Sequence, residues 1–151
     1  MMGEQYHHRA LAWWTSGQTG LTQSSSAPTA IHFTAPAEFG GLEGRWTPED
    51  LLLSALASCF TTTFHRLAAY AKLEYLDLEV EAEGTTEKAD SGYKFGGISL
   101  CARVRVPNED AREQATTVLE KAESLCLVSR ALASPPIFQL RVEVGKGQPV
   151  A

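Results

Sequence analysis

Three cysteines in 151 residues are too few, and too odd in number, to staple a small secreted fold, so no disulfide framework is expected. The longest mainly apolar stretch is residues 51–60, far short of the roughly 20 residues a membrane-crossing helix needs. The opening MMGEQYHHRALAWW has neither the cationic start nor the apolar run of a secretion signal. A cytoplasmic location is therefore expected. Positive charge is scarce: 13 Lys and Arg stand against 18 Asp and Glu, for a net charge of −5. That balance argues against a nucleic-acid partner. His7, His8, His32 and His65 have no zinc-ligand spacing with one another or with the cysteines. The glycines of Gly40-Gly41-Leu42-Glu43-Gly44 lack the lysine and the preceding strand of a phosphate loop. Neither a metal nor a cofactor is expected. What is present, 44% hydrophobic and 21% charged residues, describes an ordinary globular chain. Its length suits one domain over residues 1–151, with no internal repeat and no linker.

The hydrophobic periodicity predicts the order β-β-β-α-β-β-α-α-β, an α+β domain. Strands are expected over 8–13, 19–25 and 29–34, with a turn at Ser16-Gly17-Gln18 and a loop over 36–46. Thr47-Pro48-Glu49-Asp50 then sets a capping hydroxyl, a first-turn proline and two carboxylates at the positive end of a helix. Neither Gly nor Pro follows until after residue 71, which predicts a helix of about 24 residues, roughly 36 Å long. Residues 51–63 carry no charge, and a helix apolar nearly all round must be buried on several sides. A chain this short needs a second copy to do that, so a homodimer is expected. Leu76, Leu78, Val80 and Ala82 alternate with Asp77, Glu79, Glu81 and Glu83 in a strand with one wet face. A polar turn region over 84–92, a strand over 95–106, a helix over 107–124, a short helix near 126–133 and a last strand over 137–144 complete the chain.

Chemistry is sought at the cysteines. Most free cysteines are buried and inert, and reactivity follows thiolate character and exposure. Cys59 lies midway along the long helix among Ser54, Ser58, Thr61, Thr62 and Thr63, too deep for the N-terminal dipole to reach. Cys126 lies near a helix start, and Cys101 shares a strand face with Arg103 and Arg105. Glu49 favours the helix dipole on its own account. Ten residues separate it from Cys59, about 15 Å along the axis and about 80° around it. The two do not meet on one helix.

The segment PAEFGGLEGRWTPEDLLLSALASCF at 36–60, the stretch AESLCLVSRAL at 122–132 and the element order between them resemble the OsmC/Ohr family, the osmotically induced and organic hydroperoxide resistance proteins. The resemblance implies an intertwined homodimer, with two long central helices wrapped by antiparallel β-sheets. It matches Cys59 to the family's peroxidatic cysteine, Cys126 to its resolving cysteine and Glu49 to its glutamate. It implies a hydroperoxide substrate and an external dithiol reductant. The chain departs from the pattern at Gln18, where Ohr-type members carry an arginine, and at Leu127, where a proline is common. Arg45 is the arginine nearest to the position used by OsmC-type members. A dimeric small-molecule-binding protein, with an apolar ligand near Trp46, Phe60 and Phe64 and non-catalytic cysteines, is the alternative reading.

Overall fold

The structure, a computed structural model, describes residues 3–150. It divides into two compact units, one ending at Leu52 and the other beginning at Leu53. In the first, β1 (Ala10–Ser16), β2 (Thr19–Ser24) and β3 (Ile31–Phe33) form an antiparallel sheet in that order. Gly17 turns the first hairpin with φ 58°, a conformation that only glycine adopts freely. Thr34 is fully buried. Its hydroxyl donates to the Gln18 carbonyl at 2.8 Å and accepts from the Leu42 N–H at 3.0 Å, tying the following loop to the hairpin turn. That loop contains a short 3-10 turn, Ala37–Phe39, within the segment expected to be irregular.

The helix α1 covers Pro48–Ala71, 24 residues, as its cap and composition predict. Thr47 Oγ1 accepts from the Asp50 N–H at 3.1 Å while Asp50 Oδ2 accepts from the Thr47 N–H at 3.0 Å. This reciprocal pair satisfies two backbone donors at the helix start. Leu56, Phe60, Phe64 and Ala68, spaced four apart, are its buried stripe.

In the second unit, β4 (Asp77–Ala89), β5 (Gly92–Val106) and β6 (Ile137–Val144) form a sheet in that order. The residues 84–92 are not a broad turn. Both strands run on until Ala89 pairs with Gly92, leaving only Asp90 and Ser91 as the connection. The arm beyond Gly84 is exposed on both faces, so no apolar alternation marks it, yet its backbone ladder continues. Gly84 is bare for a reason: a Cβ there would come within 2.9 Å of the Phe95 ring. The β4–β5 pair is antiparallel and the β5–β6 pair parallel. The sheets are thus antiparallel except at β6, where α2 (Arg112–Leu125) and α3 (Leu127–Ala131) carry the chain back across. Asn108 caps the 3-10 turn Glu109–Ala111 that leads into α2.

The core of this unit joins the α1 stripe to Leu100, Ala102, Val104 and Val106 of β5 and to Ala115, Val118, Leu119 and Ala122 of α2. The alternation in β5 therefore faces the way the sequence predicts. On the wet face, Arg103 reaches Glu79 at 2.8 Å and Glu143 at 3.3 Å, and Arg105 Nε reaches Asp77 at 2.8 Å.

Candidate functional site

Cys59 sits halfway along α1, one residue from the buried stripe, and is half-buried. The hydroxyls around it do not serve its thiol. Thr62 and Thr63 both donate to the Cys59 carbonyl, at 3.0 and 2.8 Å, and Ser58 and Thr61 donate to the Ala55 and Ala57 carbonyls. This is the local side-chain-to-backbone bonding that short hydroxyl residues adopt within helices.

Cys126 is the hinge between α2 and α3. Its backbone is extended, with φ −62° and ψ 113°, so the chain breaks there and the side chain turns inward to full burial. The structure brings the two cysteines to one place: Cys59 packs against the core that holds the buried Cys126, and each bears on the other's thiol. Burial pushes the Cys126 thiol up to about 11. The Ser129 N–H pulls it down, while Cys59 and the charge of Glu123 push it further up. Proximity to a helix start therefore does not make Cys126 acidic; desolvation outweighs the donor.

Glu123 is the residue that sequence reading passed over. It is half-buried on the last turn of α2, where Oε1 accepts from the Ser129 hydroxyl at 2.9 Å. Oε2 is buried and makes no hydrogen bond among the described residues. Burial raises its carboxyl above the usual range, with the Ser129 hydroxyl acting the other way. A glutamate within a charged helix reads as solvated, and only its place three residues before a cysteine hinted otherwise.

The remaining expected residues are dispersed. Glu49 stands in the first turn of α1, ten residues before Cys59, with Oε2 buried and unpartnered among the described residues. Gln18 and Arg45 are exposed. Cys101 alternates with the core residues Leu100 and Ala102, so it lies on the opposite face of the sheet, between Glu81 and Gln139. Phe60 and Phe64 are sealed against Phe138 and Tyr75. They offer no face to a ligand, contrary to the binding-protein alternative. Tyr75 hydrogen-bonds the His65 Nδ1 at 2.5 Å. Among the described residues no group of three His, Cys, Asp or Glu side chains is placed to hold a metal. Among the described residues no helix is long and apolar enough to cross a membrane.

Residues 40–141 match the model of the family described as OsmC-like protein. The Bacillus subtilis protein YmaD, itself uncharacterized, is 25% identical over 94% of this chain and 97% of its own. Escherichia coli peroxiredoxin OsmC is 30% identical over 62% of this chain and 64% of its own. The crystal structure of an organic hydroperoxide resistance protein from Elizabethkingia anophelis superposes with a TM-score of 0.75. It is 23% identical and covers 95% of this chain and 100% of its own, a likeness of fold. An α+β fold of this topology, with the sequence match running through both long helix and cysteine hinge, means that the chain belongs to the OsmC-like protein family.

Proposed function

We propose that this chain is a thiol-dependent peroxidase that reduces organic hydroperoxides, with hydrogen peroxide as a second substrate, in defence against oxidative stress. The observation that carries the reading is the meeting of Cys59 and Cys126 inside one core, with Cys101 on the far face of the sheet. The names of relatives, a peroxiredoxin and a hydroperoxide resistance protein, support it. The Cys59 thiolate attacks the peroxide O–O bond, an alcohol or water leaves, and the sulfur becomes a sulfenic acid. Cys126 then attacks that sulfur. The S–S bond forms, the S–O bond breaks and water departs. An external dithiol restores both thiols by exchange.

Glu49, with its buried oxygen unpartnered among the described residues, serves the Cys59 of a second copy in a homodimer, because on its own helix it is about 15 Å away. Residues 1–151 act as one OsmC-like domain, in the cytoplasm, where thiols are kept reduced. Thiol titration before and after one equivalent of cumene hydroperoxide tests the reading. Two thiols per chain should disappear, and Cys59→Ser should abolish peroxide consumption. An unchanged thiol count with undiminished peroxide would overturn it.

A further inference from the structure

The resolving step leaves a proton without a destination. A thiol attacks a sulfenic acid or a disulfide as its thiolate, yet Cys126 is fully buried and its thiol sits at about 11. Near pH 7 on the order of one molecule in 10⁴ would hold the thiolate unaided. Among the described residues, the charged or titratable groups that bear on Cys126 are Cys59 from α1 and Glu123 from α2; Ser129 of α3 contributes only its N–H. Cys59 is the partner under attack. Glu123 remains, held at Oε1 by the Ser129 hydroxyl and open at a buried Oε2.

We propose that Glu123 is the proton acceptor for Cys126, oriented by Ser129, and that it makes the buried thiol competent to close the disulfide. The inference rests on the peroxidase reading for its biological setting but not for its chemistry. In closure, the proton leaves Cys126 Sγ for the Glu123 carboxylate, and the Cys126 sulfur donates its electron pair to the Cys59 sulfur. The S–O bond breaks, and the departing hydroxide takes the proton from Glu123 as water. In reduction the attacking dithiol gives up its proton to the Glu123 carboxylate, which passes it to the leaving Cys126 sulfur. Ser129 accordingly plays two parts: its hydroxyl fixes the acceptor while its N–H steadies the sulfur as charge develops.

A purely electrostatic role for Glu123 makes the opposite prediction. Its negative charge opposes formation of the neighbouring thiolate, so removing that charge would lower the Cys126 pKa and speed attack. The sign of the effect of Glu123→Gln therefore decides between the two. The Cys101→Ser protein is treated with 5,5′-dithiobis(2-nitrobenzoate), which loads Cys59 with a nitrothiobenzoate mixed disulfide. Release of the second equivalent of the chromophore then reports attack by Cys126, with no peroxide present. Glu123→Gln is isosteric and keeps an acceptor for Ser129. It should slow that release at pH 7 on the order of 10²-fold, the usual worth of a positioned base. Its rate should climb tenfold per pH unit toward about 11, whereas the Glu123 protein levels off once the carboxyl is ionised. Ser129→Ala should fall between the two and retain the plateau. A Glu123→Gln protein that closes as fast or faster, with an unaltered pH profile, overturns the proposal. Absence of a second release from the Cys101→Ser protein itself would overturn the Cys59–Cys126 couple and the peroxidase reading with it. Normal release without peroxide consumption would strike the peroxidase reading alone.

Discussion

A thiol and a carboxyl taken out of water respond alike, because both carry charge only when deprotonated and burial penalises the charged form. That common cause raises Cys126 and Glu123 together in one small volume. For Cys126 the consequence is measurable without any oxidant. At pH 8 a free cysteine of pKa near 8.5 is about one-quarter thiolate, whereas a thiol at about 11 is on the order of 0.1%. Alkylation of reduced Cys126 by iodoacetamide, followed by peptide mass spectrometry, should run at least 10²-fold slower than that of free cysteine. Labelling of Cys126 at the free-cysteine rate would contradict the burial argument. The positions of Cys59 and Cys126 were legible in the sequence through their surrounding segments. Their environments were not. The hydroxyls around Cys59 turn out to bond its helix, and the acid beside Cys126 looks in the sequence like any surface glutamate. Local pattern shows which element a residue joins; which polar atom loses its water is decided by other elements that close over it.

At the scale of elements, legibility followed the strength of local chemistry. Thr47-Pro48-Glu49-Asp50 predicts the start of α1 because a cap is a contact among four successive residues. The polar arm over 84–92 was missed because strand pairing there is supplied by the opposite strand and leaves no apolar trace in either. Crossover of α2 and α3 to a parallel β6 is likewise a property of how elements pair. The cap yields a direct test. Thr47→Ala removes the acceptor for the Asp50 N–H and the reciprocal bond it supports, for a loss of about 1 kcal/mol. In a chain of this size that lowers Tm by about 2–4 °C, whereas Thr47→Ser should stay close to the parent. Thermal unfolding followed by circular dichroism reads both. An unchanged Tm for Thr47→Ala would mean that the end of α1 is held by packing and not by its cap.

At the scale of the whole molecule, the exposed side of α1 is the surface that bears on assembly. Behind the stripe of Leu56, Phe60, Phe64 and Ala68, α1 presents Ser54, Ala55, Ser58, Thr61 and Thr62, all exposed and none charged. The hydroxyls of Ser58, Thr61 and Thr62 already donate to carbonyls of their own helix. Three of the four hydroxyls on this face keep their donor bonds when water is removed, so burying it against a second copy carries less of the usual cost of burying polar groups. A two-fold axis sets the same patch against itself, and small side chains permit close approach of the two helices. An antiparallel crossing of two α1 helices would also bring the second copy's Glu49 toward Cys59, which its own helix cannot do. The expected outcome is elution at twice the chain mass in size-exclusion chromatography with light scattering. Thr62→Glu places like charges across the axis and should shift the protein to monomer at micromolar concentration, with an unaltered helical signal by circular dichroism. If Glu49 works across the interface, oxidation of Cys59 by hydroperoxide should slow in step with dissociation and recover as concentration restores the dimer. A monomeric parent protein, or oxidation indifferent to dissociation, would confine the chemistry to the elements of a single chain.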